Sequence, residues 1–257
     1  MPDFPDPRDR FLLTDKVCVV TGGSRGLGKE MVKAFAAVGA HVVIASRKLA
    51  NCQELADEIT STTDRQAMPY ACHVGDWTQL DGLVDAVYER FGKINVLVNN
   101  AGMSPLYESL AGIPEALYDK TFDVNVKGPF RLMANVGTRM EAAGSGSIIN
   151  ISTGGAIRPV PSIIPYSAAK AGLNAMTIGF AHAFGPKVRV NCIQPGPFLT
   201  DIANAWDIDA VTAEMRGNYA LGRPGNPDEI IGAALYFASD ASSFTTGAIL
   251  QVDGGMP

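Results

Sequence analysis

Tyr166 and Lys170 stand four residues apart in PYSAAKAGL, a spacing that puts both on one face of a helix. A phenol ionises near about 10 and is a poor base at neutral pH; an adjacent ammonium favours the phenolate and lowers that value. The pair therefore reads as a proton donor and acceptor. The plainer alternative is a solvated surface pair, because the same spacing also arises by chance.

A second cluster lies near the start. The segment TGGSRGLG, Thr21 to Gly28, follows an apolar run and opens a helical pattern, with Gly22, Gly26 and Gly28 spaced G-x3-G-x-G. Glycine lets a backbone turn sharply and approach a pyrophosphate with no Cβ in the way. A helix beginning near Gly26 aims its free N–H groups and positive dipole end at phosphate oxygens. After the second apolar run comes Ser46-Arg47-Lys48, where dinucleotide sites for NAD carry an acid against the ribose hydroxyl. Arg47 here, with Arg25 in the loop, suits a 2′-phosphate, which guanidinium binds bidentately. The expectation is NADP(H) in preference to NAD(H); the plainer reading makes Arg47 and Lys48 a solvated helix start.

These groups need a frame, and the hydrophobic pattern supplies one. Strand-like runs (16–21, 41–46, 67–72, 94–99, 147–151, 188–193, 246–252) alternate with helical patterns at 26–38, 48–61, 77–91, 114–142, 165–184 and 227–238. The 114–142 helix is expected to break near Gly128-Pro129, and 197–225 reads as irregular. Buried, non-alternating strands joined by helices predict a three-layer, doubly wound α/β fold: seven parallel strands with helices on both faces. The expected organisation is a loose arm at 1–10 and one domain over 11–257, with no Gly-, Ser- or Pro-rich linker.

Composition excludes several classes. A net charge of −5 argues against nucleic acid, and no run reaches the roughly 20 apolar residues of a membrane span. Cys18, Cys52, Cys72 and Cys192 form no CxxC, and His41, His73 and His182 are scattered, so no metal site is expected. Reduced thiols and a start without an apolar signal core suggest a cytoplasmic protein. Charged residues make up 18%, against a typical value of about 25%, which hints at surface covered in an oligomer.

Six motifs in order give the chain a resemblance to the short-chain dehydrogenase/reductase family over nearly its whole length. They are TGxxxGxG at Thr21–Gly28, NNAG at Asn99–Gly102, the helix asparagine Asn125, YxxxK at Tyr166–Lys170, PGxxxT at Pro195–Thr200 and VDGG at Val252–Gly255. The resemblance implies a Rossmann fold and hydride transfer between a nicotinamide and a ketone or secondary alcohol. Tyr166 would be the acid/base. Lys170 would lower its pKa and bind the nicotinamide ribose, and Asn125 would hold a relay water. The cofactor would meet Gly22, Ser24, Arg25, Gly26, Leu27 and Gly28 at the phosphates and Ser46, Arg47 and Lys48 at the adenosine ribose. His73 and Val74 would lie near the adenine, Asn99, Ala101 and Gly102 along the sheet edge, and Ile193, Pro195, Gly196 and Thr200 at the nicotinamide. Family members are commonly tetramers, which implies a homotetramer or homodimer.

Two positions depart from the family's pattern. The usual serine thirteen residues before the tyrosine is Thr153, which keeps a hydroxyl able to donate to a carbonyl oxygen; Ser152 is the rival if the strand register slips by one. His73 replaces the common Asp beside the adenine, and either contacts that ring or caps its strand. The loop over 197–225 is expected to close over the substrate, and Arg158, in the turn between Thr153 and Tyr166, to border the pocket. Two functions are carried forward: a carbonyl reductase or alcohol dehydrogenase, whose substrate could be a 3-oxoacyl thioester or another small ketone, and a cofactor-sensing binding protein with little turnover.

Overall fold

The computed structural model describes residues 6–200 and 208–257. Seven strands form one sheet: β1 (Val17–Thr21), β2 (His41–Ser46), β3 (Ala67–Ala71), β4 (Val96–Asn99), β5 (Gly146–Ile151), β6 (Val188–Pro195) and β7 (Ile249–Val252). Their order is β3-β2-β1-β4-β5-β6-β7, and every neighbouring pair is parallel. The helices are α1 (Gly26–Ala37), α2 (Leu49–Thr62), α3 (Trp77–Phe91), α4 (Glu115–Phe122), α5 (Gly128–Ala143), α6 (Ile164–Phe184), α7 (Ile208–Asn218) and α8 (Ile231–Ala238).

Successive strand residues serve opposite faces. Val20, Ile44, Val98 and Ile149 pack with Met31 and Phe35 of α1, Leu55 and Ile59 of α2, and Phe237 of α8. Their neighbours Val19, Val43, Leu97 and Ile148 pack with Leu83 of α3, Leu132 and Val136 of α5, and Leu173 of α6. With both faces covered, every residue of β1 is buried, which explains an unbroken apolar run without alternation. The strand order reverses between β1 and β4, so the crevice for a ligand opens beyond their C-terminal ends.

Several elements differ from expectation. The 114–142 helix is interrupted ahead of Gly128, by a π turn over Asp123–Lys127. Pro129 is harmless in the first turn of α5, where its missing N–H is not needed. The 227–238 helix begins as a 3-10 turn, Pro227–Ile230. Residues 208–218, expected to be irregular, form α7; residues 201–207 of that loop lie outside the described residues. Part of the expected N-terminal arm is a 3-10 turn, Pro7–Phe11. There the Arg10 guanidinium donates to the Asp240 carbonyl (3.1 Å) and to Ser243 Oγ (3.2 Å). Among the described residues no helix is long and apolar enough to cross a membrane.

Candidate active site

The glycine loop is built on Thr21, where β1 ends. Thr21 Oγ1 donates to the Val98 carbonyl (3.2 Å) and accepts the N–H groups of Asn100 (3.1 Å) and Ala101 (3.2 Å). In return Asn100 Nδ2 donates to the carbonyls of Thr21 (2.9 Å) and Gly22 (3.1 Å). Gly22 and Gly26 take φ of +63° and +53°, a left-handed conformation that a Cβ disfavours. A Cβ on Gly28 would strike the Gly22 carbonyl, so α1 presses its first turn onto the loop. Thr200 forms a further wall, with Cβ and Cγ2 3.5 Å from where a Gly26 Cβ would stand. This cradle at a helix N-terminus fits a dinucleotide pyrophosphate.

Asn100 is the loop-binding residue that the motif reading passed over. Its neighbour Asn99 is 2% exposed and faces the other way, its Nδ2 donating to Asn150 Oδ1 (2.9 Å). Asn150 Nδ2 in turn donates to Thr177 Oγ1 (2.9 Å). Asn99 therefore braces β4 against β5 and does not line the crevice. Ile193 is a like case: it is fully buried in the core on the sheet face that carries α1 and α8. Pro195 and Gly196, farther along β6, stand at the strand's end. A Cβ on Gly196 would lie 2.7 Å from Asp253 Cα, so that strand end and the C-terminal turn are pressed together.

At the adenosine end, Ser46 closes β2 and Arg47 and Lys48 are exposed beyond it, with no acid among them. Ser24 shares a hydrogen bond with the Cys52 thiol. His73 closes its own turn: ring Nδ1 accepts from the Gly75 N–H (3.1 Å), and the His73 main-chain N–H donates to Gln79 Oε1 (2.8 Å). Only Nε2 remains for an adenine. Val74 is buried, its carbonyl pressed against Gly128, where no Cβ would fit.

The proton-handling groups converge beyond β5. Thr153 is half-buried with its hydroxyl beside that of Tyr166, near enough to favour the phenolate, and its Oγ1 accepts from the Gly155 N–H (3.3 Å). Ser152 faces away: it is 3% exposed and its Oγ donates to the Lys170 carbonyl (3.4 Å). Lys170 Nζ donates to the Ile151 carbonyl (2.7 Å) and lies 5.9 Å from the Tyr166 ring centre. Burial dominates both titrations. It pushes the Tyr166 phenol up to about 12, against the pull of the Thr153 hydroxyl, and brings the Lys170 ammonium down to about 8. Desolvation penalises both ionised forms.

Asn125 sits in the π turn, fully buried. Its Nδ2 donates to the carbonyls of Met103 and Thr121 (both 2.8 Å), and its Oδ1 accepts the Met103 N–H (3.3 Å). The amide is thus committed to the chain after Gly102. A Cβ on Gly102 would lie 3.0 Å from Asn125 Oδ1 and 3.5 Å from Lys170 Nζ, so the three residues are contiguous.

Two segments wall the cleft. Tyr107, past β4, donates its hydroxyl to the Pro161 carbonyl and accepts the Ile164 N–H (3.0 Å). Beside it a shallow apolar groove, lined by Pro105, Ile113, Leu117, Tyr118 and Pro165, runs to the Tyr166 ring. On the other side, the N–H groups of Ala220 and Leu221 donate to the carbonyls of Gly255 (3.2 Å) and Gly254 (2.9 Å). Met256 Sδ then lies 2.7 Å from where a Gly154 Cβ would be, covering the turn that follows Thr153.

A family model described as enoyl-(acyl carrier protein) reductase matches residues 22–257. The dehydrogenase/reductase SDR family member 4 of Pongo abelii is 33% identical over 95% of this chain and 88% of its own length. The chain belongs to the short-chain dehydrogenase/reductase family. Another member, an L-rhamnose 1-dehydrogenase (NAD(P)(+)) of Azotobacter vinelandii, is 36% identical over 96% of this chain and 98% of its own. Among solved structures, the NADPH-dependent 3-quinuclidinone reductase of Rhodotorula rubra superposes with a TM-score of 0.92 at 30% identity, over 99% of this chain and 96% of that one. The chain is accordingly a hydride-transferring oxidoreductase that uses a nicotinamide cofactor and acts on a small molecule.

Proposed function

We propose that this short-chain dehydrogenase/reductase interconverts a ketone and a secondary alcohol with NADP(H) in preference to NAD(H), Tyr166 being its acid/base. The observation that carries the reading is the meeting of Thr153, Tyr166 and Lys170 at the mouth of the crevice. A nicotinamide, when bound, supplies or accepts the hydride. In the reducing direction the Tyr166 hydroxyl, protonated at neutral pH, gives its proton to the substrate's carbonyl oxygen, and Thr153 Oγ1 donates to the same oxygen. Lys170 carries the charge that steadies the phenolate left behind. Because the Asn125 amide is committed, a water relaying protons to Lys170 would rest on the main chain of the π turn.

The glycine cradle fits the cofactor. Main-chain groups of Gly22, Ser24, Arg25, Gly26, Leu27 and Gly28 would hold its phosphates, and Ser46, Arg47 and Lys48 the 2′-phosphate. His73 and Val74 would border the adenine; Ala101, Gly102, Pro195, Gly196 and Thr200 would hold the nicotinamide half. Residues 11–257 would act as one unit, with 197–225 closing over the substrate, in a homotetramer or homodimer. The four free, buried cysteines accord with a cytoplasmic setting.

The test is NADPH oxidation across a panel of ketones by the wild type and Tyr166→Phe. The substitution should lower turnover by at least about 10²-fold and leave NADPH affinity unchanged. Full turnover by Tyr166→Phe would remove the tyrosine from the mechanism. Tight NADPH binding with no ketone turned over would favour a cofactor sensor.

A further inference from the structure

The substrate side of this site carries a second chemical signature. Around Tyr166 the surface is apolar yet exposed: Leu106 is 76%, Leu110 57% and Ile157 50% accessible, with Val160 and Ile164 also on the surface. The Tyr107 hydroxyl ties the two segments that bear these residues, through Pro161 and Ile164, so they form one rim. Arg158 is exposed between Ile157 and Val160, in the turn between Thr153 and Tyr166. Its backbone N–H is held by the Gly154 carbonyl (3.0 Å), but among the described residues its guanidinium has no ion pair or hydrogen bond. Glu108, on the facing loop, makes no ion pair with it.

The charge around it is one-sided as well. The chain is acidic, at −5, yet from Ala142 to Thr200 it contains no Asp or Glu, only Arg158, Lys170, Lys187 and Arg189. Lys170 is buried and bonded to Ile151, and Arg189 is bonded to the carbonyls of Phe237 and Ser239. Arg158 is the cation of this stretch that lies between Thr153 and Tyr166, and among the described residues its side-chain donors are unused. An exposed apolar rim favours an apolar substrate body, and a guanidinium within it favours an anionic end group.

We propose that the enzyme's substrate is an anionic amphiphile: a ketone or secondary alcohol on an apolar body that ends in a carboxylate or phosphate, bound by Arg158. This rests on the reading of Tyr166 as the reacting end of the pocket. Arg158 sets specificity through binding and takes no part in proton transfer.

The first measurement is calorimetric titration of the protein in the presence of NADP⁺ with decanoate and with 1-decanol. Decanoate should bind about tenfold more tightly than the alcohol. Arg158→Gln should abolish that difference and leave 1-decanol binding unchanged, while Arg158→Lys restores most of it. Equal affinities in the wild type, or a preference that survives Arg158→Gln, would overturn the proposal. The second compares reduction of 9-oxodecanoate, its methyl ester and 8-oxononyl phosphate. Arg158→Gln should raise KM about tenfold for the anions and not for the ester, with kcat held. Whichever anion loses more identifies the end group. Arg158-dependent binding of decanoate with no ketone reduced would uphold the anion-binding role of Arg158 and defeat the catalytic reading, so the two failures are distinguishable.

Discussion

Tyr166 and Lys170 titrate in ways set by burial rather than by each other. The ordinary lysine value of 10.5 falls to about 8, a difference worth about 3 kcal/mol. Between about pH 8 and 10.5 the unfolded chain holds a proton that the folded one has lost, so this group adds stability as pH rises through that window. Denaturant unfolding of the wild type minus that of Lys170→Met should show the gain, and a flat difference would refute it. The hydroxyls are separated by orientation. Thr153 meets Tyr166, and Ser152 meets the Lys170 carbonyl. Thr153→Val should therefore lower kcat by about 10²-fold, while Ser152→Ala changes it by only a few-fold. The reverse ranking in steady-state assays would move the role to Ser152.

At the scale of elements, the crevice depends on loops held by each other. Asn100, past β4, holds the end of β1 through two main-chain carbonyls, and Thr21 holds the start of the NNAG segment in exchange. Asn100→Ala should lower stability by about 1–3 kcal/mol, because the carbonyls lose their donors in a part-buried place. The same variant should weaken NADPH about tenfold, since the cradle is no longer drawn onto β4. Calorimetry reads both, and an unchanged NADPH affinity would separate the brace from the binding site. The π turn acts in the same way on the other side, presenting Asn125 to the chain after Gly102.

For the whole molecule, charge and apolar surface carry the predictions. No acid stands at the end of β2, and Arg47 is exposed there, so NADPH should bind more tightly than NADH, and Arg47→Asp should reverse the order. Tighter NADH binding by the wild type would reject the preference. Phe130, Ile178 and Phe244 are exposed on a chain with only 18% charged residues. Sedimentation should accordingly find a dimer or tetramer, and a monomer at micromolar concentration would contradict it.

The strands, the glycine loop and the Tyr–Lys pair were legible because local rules govern them. Val17–Thr21 is an unbroken apolar run because both its faces are covered, and glycine spacing reports backbone conformations that no other residue takes easily. Facing was not legible. Asn99 and Asn100 are adjacent and alike, yet one bonds Asn150 in the core and the other holds the end of β1, because β4 ends between them. The resemblance made Ile193 a contact residue, and its burial on the sheet face of α1 and α8 makes it core. The interruption at Asp123–Lys127 has no glycine or proline inside its own five residues, and the bond of Asn125 to the distant Met103 carbonyl exists only in the folded chain. Residue types and their order determined which chemistry the chain can carry. The sheet's register and the depth of burial decided which hydroxyl meets Tyr166 and where Tyr166 and Lys170 titrate, because desolvation and side-chain facing exist only once distant segments are packed together.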